Sequence, residues 1–221
     1  MTIFDWPANL TPADVLLKPP RKTVGNKSLS EVTQVVPSIR PPFSLSLRFD
    51  ILGGDQVIAY RALLASLEGR ANTVRVPLFD VFRASNAQIG AGAVTHSDGT
   101  AFSDGALYLT DDLSGVTVTG AQGQRIITVD FGEYGQLLQG GLYFGLGDRP
   151  YIATAVWWEG SVAKIRCSPT LRQNYVDEPL KLKPTMLGFL PDDDAGEHLL
   201  RRGLWAAPTI DLEEDFRVTL P

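Results

Sequence analysis

Proline and glycine decide most of what this chain can fold into. Fifteen prolines and 21 glycines are spread along its 221 residues. Proline removes a backbone donor and fixes φ, and glycine in a helix interior costs about 1 kcal/mol, so neither suits long helices. Short segments joined by turns remain, and the expected class is β-rich, with helix as a minor part. One segment carries a helical stripe. After Gly53-Gly54, Val57, Tyr60, Leu63, Leu64 and Leu67 recur three and four apart, with Asp55 placed to cap the start and Glu68-Gly69 to mark the stop. Just before it, Phe43-Ser-Leu-Ser-Leu-Arg-Phe49 alternates apolar and polar residues, which predicts a half-buried strand. Asn72 to Phe79 reads as another strand, and Pro77 places it at an edge or a strand end.

The first 42 residues hold seven prolines and a basic, turn-prone middle, Lys18-Pro-Pro-Arg-Lys22 to Gly25-Asn-Lys-Ser28. They also hold Phe4, Trp6, Leu16, Leu17 and the β-branched run from Leu29 to Val36. A disordered tail would be poorer in such residues. We expect an extended arm or long hairpin whose apolar residues meet another subunit or element. Ser85 to Thr100 is rich in Ala, Gly, Ser and Asn and reads as a linker. Short pieces come next at Ala106–Thr110, Val116–Thr119, Arg125–Phe131, Leu142–Phe144, Pro150–Trp158 and Ser161–Cys167, each bounded by turn residues, which suggests a small barrel or sandwich. Alternation resumes in Leu180–Lys183, Ile210–Leu212 and Phe216–Leu220, read as strands returning to the first part. The expected organisation is a β domain of residues 1–92 and 171–221, a sandwich or barrel with one helix, carrying a small inserted β module of residues 93–170.

Function is constrained mainly by what is scarce. A net charge of -5 and a pI near 5.0 argue against a nucleic-acid surface. No run of about 18 apolar residues predicts a membrane span, and the start MTIFDWPANL shows no targeting pattern, so a soluble protein is expected. In GGLYFGLGDRP, Gly145 and Gly147 lack the third glycine or the Gly-Lys-Ser/Thr of a phosphate loop, and the segment behind them, Tyr151 to Trp158, reads as a strand and not as a helix. His96 and His198 stand apart from any second ligand and read as surface residues. The lone Cys167 alternates with Ile165 and Ala163, which points its thiol inward. Asp192-Asp193-Asp194 with Glu197 lacks the D-x-D-x-D spacing of a calcium loop and reads as a solvated turn, while Glu213-Glu214-Asp215 reads as a solvent-facing or partner-facing cluster. No catalytic, cofactor or metal residue is assigned. Of the adjacent Trp157 and Trp158, one is expected to fill the core and the other to face an interface.

The order of these features carries more than each alone. Phe4-Asp-Trp-Pro7, the proline-broken arm, the strand and single helix, Gly69-Arg-Ala-Asn-Thr-Val-Arg-Val-Pro-Leu-Phe79, the insertion with GLYFGLGDRPYIATA, Cys167-Ser-Pro-Thr-Leu-Arg172 and Leu182-Lys-Pro-Thr-Met186 form one series. It resembles the distal tail protein group of long-tailed bacteriophages and prophages over most of the chain. The resemblance implies a structural virion protein of the tail tip or baseplate, not an enzyme. It would have a ring-forming belt domain, six copies around the tail axis and an outward inserted module. It would bind the tail tube and the tip or hub proteins, and assemble in the cytoplasm of the bacterial host. Phe4, Trp6, Leu16, Leu17, Trp157 and Trp158 are the expected interface residues. Two other classes stay open: a carbohydrate-binding or host-receptor-binding module built on Trp157 or Trp158, and a carboxylate-based hydrolase. The insertion has room for only one small β module.

Overall fold

The structure, a computed structural model, describes residues 1–21, 23–27, 33–38, 40–50, 52–82, 113, 115–197 and 205–217. The expected linker at 85–100, the expected strand at 106–110, His96, His198 and the end of the expected strand at 216–220 lie outside them. Strands dominate, as the proline and glycine content requires, and one α-helix is present among the described residues. In chain order the elements are β1 (Ile3–Asp5), β2 (Asp14–Lys18), β3 (Thr23–Lys27), β4 (Thr33–Pro37), β5 (Ser44–Arg48), β6 (Leu52–Gly53), α1 (Gly54–Leu67), β7 (Thr73–Pro77), β8 (Thr117–Gly120), β9 (Ile126–Asp130), β10 (Tyr143–Leu146), β11 (Arg149–Glu159), β12 (Val162–Ser168), β13 (Tyr175–Lys181), β14 (Thr185–Phe189), β15 (Trp205–Ala206) and β16 (Thr209–Glu214). They fall into two compact units, one of Met1–Phe79 with Met186–Pro221 and one of Asp80–Thr185.

The first unit is built on a six-stranded sheet in the order β1-β7-β14-β16-β5-β2. Period two in β5 drives it: Phe43, Leu45, Leu47 and Phe49 are all buried, while Ser44, Ser46 and Arg48 take the other face. Pairing with β16 continues the pattern, because Ile210 and Leu212 fall opposite Leu47 and Leu45 and are buried with them. Helix α1 covers this apolar face, with Tyr60 edge-on to Phe49 at 5.8 Å between ring centres and its hydroxyl donating to the Gly196 carbonyl at 2.7 Å. Val57, Tyr60, Leu63 and Leu67 are buried, whereas Leu64 is only half-buried. Two further details differ from expectation. The helix begins at Gly54 behind Gly53 with no side-chain cap, and Asp55 sits in the first turn, where its carboxylate faces the positive end of the helix dipole. The helix stops as expected, through left-handed Glu68 and Gly69.

The N-terminal residues are not an arm without a local partner. Strand β1 pairs in parallel with β7, β2 pairs antiparallel with β5, and Leu10 between them is buried. Their own unit therefore supplies the surface that the sequence left open. The hairpin β3–β4 behaves differently, forming a two-stranded sheet apart from the six-stranded one. Pro77 ends β7, which lies inside the sheet, so the proline marks a strand end and not an edge.

The second unit is a six-stranded sheet in the order β8-β13-β10-β11-β12-β9, whose outer strands β8 and β9 approach each other and bring it close to a barrel. At that seam a Cβ on Gly120 would lie 2.6 Å from the buried Leu171 side chain and 3.7 Å from Ile127, so any larger residue would have to displace Leu171. The interior holds Val118, Ile127, Val129, Phe144, Tyr151, Ile165 and Leu180, among others. Strand β13 belongs here because it pairs with both β8 and β10. The unit thus runs to Thr185, where the sequence placed a return at residue 171. Alternation in Leu180–Lys183 marks a strand but does not say which sheet the strand joins.

Candidate interaction surface

Two surfaces collect the residues singled out from sequence, one on each unit. On the first, β2 is an edge of the six-stranded sheet among the described residues, and Leu16 on it is 55% exposed. Beyond it, Val35 and Val36 of β4 are 54% and 56% exposed. Adjacent strand residues point to opposite faces, so each face of β4 carries a half-exposed valine. Leu17 is half-buried and lines an open groove of about 590 Å³ with Lys18, Pro19, Arg21, Pro42 and Glu213 at the base of the hairpin. Phe4 is half-buried on β1. Trp6 is engaged within its own unit: it stacks on Phe49 at 6.3 Å, meets Phe79 edge-on at 5.9 Å and donates its indole N–H to the Leu10 carbonyl at 2.7 Å.

On the second unit the tryptophan pair divides as alternation requires. Trp158 packs on Phe131 at 5.1 Å and donates to the Leu138 carbonyl at 3.2 Å, whereas Trp157 is 50% exposed. A bulge decides which is which. Between Ala153 and Ala155 the register against β12 slips, so Thr154 is an extra residue on β11. Tyr151 and Ala153 point inward before it, and Val156 and Trp158 after it. Trp157 pairs with Lys164, whose ammonium lies 3.0 Å from Glu159, and exposed Ile126 pairs with Arg166 two strands away.

The chemistry-bearing residues lie elsewhere. Cys167 is buried as expected; burial pushes its thiol up to about 11, and the thiol donates to the Arg125 carbonyl at 3.3 Å. A thiol held protonated in this way is a poor nucleophile. In the acidic turn, Asp193 accepts from the Arg70 backbone N–H at 3.3 Å and so ties the turn to the exit of α1. Among the described residues no three His, Cys, Asp or Glu side chains gather as metal ligands.

The cluster Glu213-Glu214-Asp215 does not face solvent as a whole. Glu213 is half-buried, but Glu214 and Asp215 are fully buried. Glu214 points to the core side and accepts from the Phe43 backbone N–H at 3.1 Å. Asp215 accepts from the Thr73 hydroxyl, from the Arg217 backbone N–H at 2.8 Å, and from Nε and Nη2 of Arg217 at 2.9 and 2.8 Å. Arg217 also donates to the Arg70 carbonyl at 2.8 Å and lies 4.6 Å over the Phe189 ring. Burial alone would raise the Asp215 carboxyl, but the hydrogen bonds from Arg217 and Thr73 outweigh it and hold it below its ordinary value. Sequence reasoning missed this hub; its one local trace is the Asp-Phe-Arg spacing of residues 215–217.

Together the two units define a β-rich protein that presents an edge strand, a free-standing hairpin and an exposed tryptophan. No helix among the described residues is long and apolar enough to cross a membrane. Compared with protein-family models and with curated proteins, the chain matches none.

Proposed function

We propose that this chain is a structural protein of a phage tail tip, in which copies close into a ring, six by the resemblance to distal tail proteins, joining the tail tube to the tip. One observation carries the reading: hairpin β3–β4 belongs to neither six-stranded sheet and exposes apolar side chains on both faces of β4. A lone two-stranded hairpin is marginal in water, and uncovered β-branched residues on both of its faces fit a segment that is completed by other chains. The adjoining sheet edge and groove on the same unit supply a surface for such contacts. The proposal assigns no catalysis, because assembly requires complementary surfaces and no reacting group.

Sedimentation of the purified chain, together with negative-stain images, tests the proposal. The expected result is a hexamer-sized ring, or a species that attaches to isolated tail tubes. A chain that is monomeric at high concentration and does not attach to tubes would overturn it. The second reading, a carbohydrate- or receptor-binding module, is favoured by the half-exposed Trp157 beside Lys164 and Glu159 on the second unit. Saturable binding on a glycan array that Trp157→Ala abolishes would bring that reading forward.

A further inference from the structure

The hairpin and the sheet edge differ from their surroundings in charge as well as in pairing. Residues 18–42 contain five basic residues, Lys18, Arg21, Lys22, Lys27 and Arg40, against one acidic residue, Glu31. The rest of the chain then holds 15 basic and 24 acidic residues. Two such hairpins repel each other, while the body of another copy attracts one. A symmetric hairpin-to-hairpin dimer is therefore disfavoured, and a head-to-tail contact of hairpin on body, the kind that closes a ring, is favoured.

The strands narrow the contact further. Strand edges in soluble proteins are ordinarily guarded by charge, proline or shortness. Strand β4 reads Thr33-Gln-Val-Val-Pro37, without a charge and with its proline only at the end, whereas β3 carries Lys27 and a central glycine. Strand β2, Asp14-Val-Leu-Leu-Lys18, has charges only at its two ends and exposes Leu16 between them. Both strands are five residues long. Pro19-Pro20 joins β2 to β3, and among the described residues the hairpin does not join the six-stranded sheet.

We propose that β4 of one copy adds to the free edge of β2 in a second copy, extending the six-stranded sheet by a hairpin across the subunit boundary. This rests on the ring reading proposed for the chain and names the strand that makes the ring contact. Backbone hydrogen bonds supply the pairing and Leu16, Val15, Val35 and Val36 the side-chain contacts.

Alternation along β4 gives a sharp test. Val35 and Val36 point to opposite faces, so only one of them can share the face of Leu16. Leu16→Cys protein is mixed with Val35→Cys or with Val36→Cys protein and gently oxidised, the buried Cys167 serving as a silent background. A disulfide needs Cα atoms within about 7 Å. One of the two mixtures should give a covalent dimer and the other at least tenfold less, with little product from any single variant alone. A double variant carrying the productive pair should give a ladder ending in a closed ring. Val35→Lys, at an exposed position, should keep the circular dichroism of the parent and shift it to monomer. Equal cross-linking in both mixtures, linkage within one chain of the double variant, or rings without any cross-link would overturn the strand assignment and leave the ring reading standing. A parent chain that stays monomeric alone and with tail tubes would remove both.

Discussion

At the scale of single residues, Asp215 separates what local sequence shows from what it hides. An acidic run near a strand end reads as solvated, because neighbouring positions give no reason to bury it. Its reasons lie far off in the chain: Thr73 is 142 residues away from Asp215, and Phe43 is 171 away from Glu214. Removing one member of a buried charge pair costs about 3 kcal/mol, since the remaining group keeps its desolvation penalty. We therefore predict that Arg217→Ala destabilises the first unit by about 2–3 kcal/mol at pH 7, because it leaves the buried Asp215 carboxylate without its partner, and that Asp215→Asn costs less, because the Arg217 it leaves is partly exposed. The pH dependence comes from the lowered carboxyl. Its contribution is complete above the ordinary value of 3.8 and is lost as pH falls through the lower folded value. Urea unfolding at pH 7, 4 and 2.5 should show the gap between parent and Asp215→Asn narrowing toward acid. A gap unchanged over that range would mean the charge of Asp215 contributes nothing.

At the scale of elements, periodicity is a good guide wherever a segment obeys one rule from end to end. Strand β5 is legible from Phe43 to Phe49 for that reason, and α1 within a residue of each end. Even so, the stripe gives five equal apolar positions where packing separates them. We expect Leu67→Ala to cost about 3 kcal/mol and Leu64→Ala about 1, because only the first empties a fully enclosed space. Unfolding of both variants in urea measures the difference. Strand β11 breaks the single rule. Alternation predicts that Trp157 and Trp158 divide, but an extra residue upstream reverses which one turns inward, and no local signal announces a bulge at Thr154. Deleting Thr154 should remove the extra residue while keeping every pair from Ala155 to Glu159, so that alternation runs unbroken with Trp158 still against Phe131 and Leu138 and Trp157 still outside. The expected outcome is tryptophan emission like that of the parent, read by fluorescence during urea unfolding. Emission altered as by an exchange of Trp157 and Trp158 would show that Thr154 is not the extra residue that sets the faces.

At the scale of the whole molecule, the two-part organisation is legible in the sequence and its boundaries are not, because strand partners are fixed by pairing and not by composition. The first unit is interrupted between Phe79 and Met186, and the strands on either side of the interruption, β7 and β14, are neighbours in one sheet. Neighbouring strands lie about 4.8 Å apart, and a five-residue strand is about 17 Å long, so a ten-residue linker spans the gap whichever way the strands run. Closing such a loop costs only a few kcal/mol and grows slowly with length. The second unit has its own interior, from Leu113 to Leu182. We predict that replacing residues 80–184 with a ten-residue glycine-serine linker leaves a first unit that unfolds cooperatively, and that residues 80–185 expressed alone also fold. Cutting at 93 and 170 instead should fail in both pieces. That cut removes β8 to β12 but leaves β13 in the remainder, exposing Leu180 and Tyr175, which are buried in the intact unit. Calorimetry of the four fragments decides the matter. Single sharp transitions for the 80–185 pair and broad or absent ones for the 93–170 pair are expected, whereas sharp transitions for the 93–170 pair would show that β13 is dispensable to the fold of the insertion.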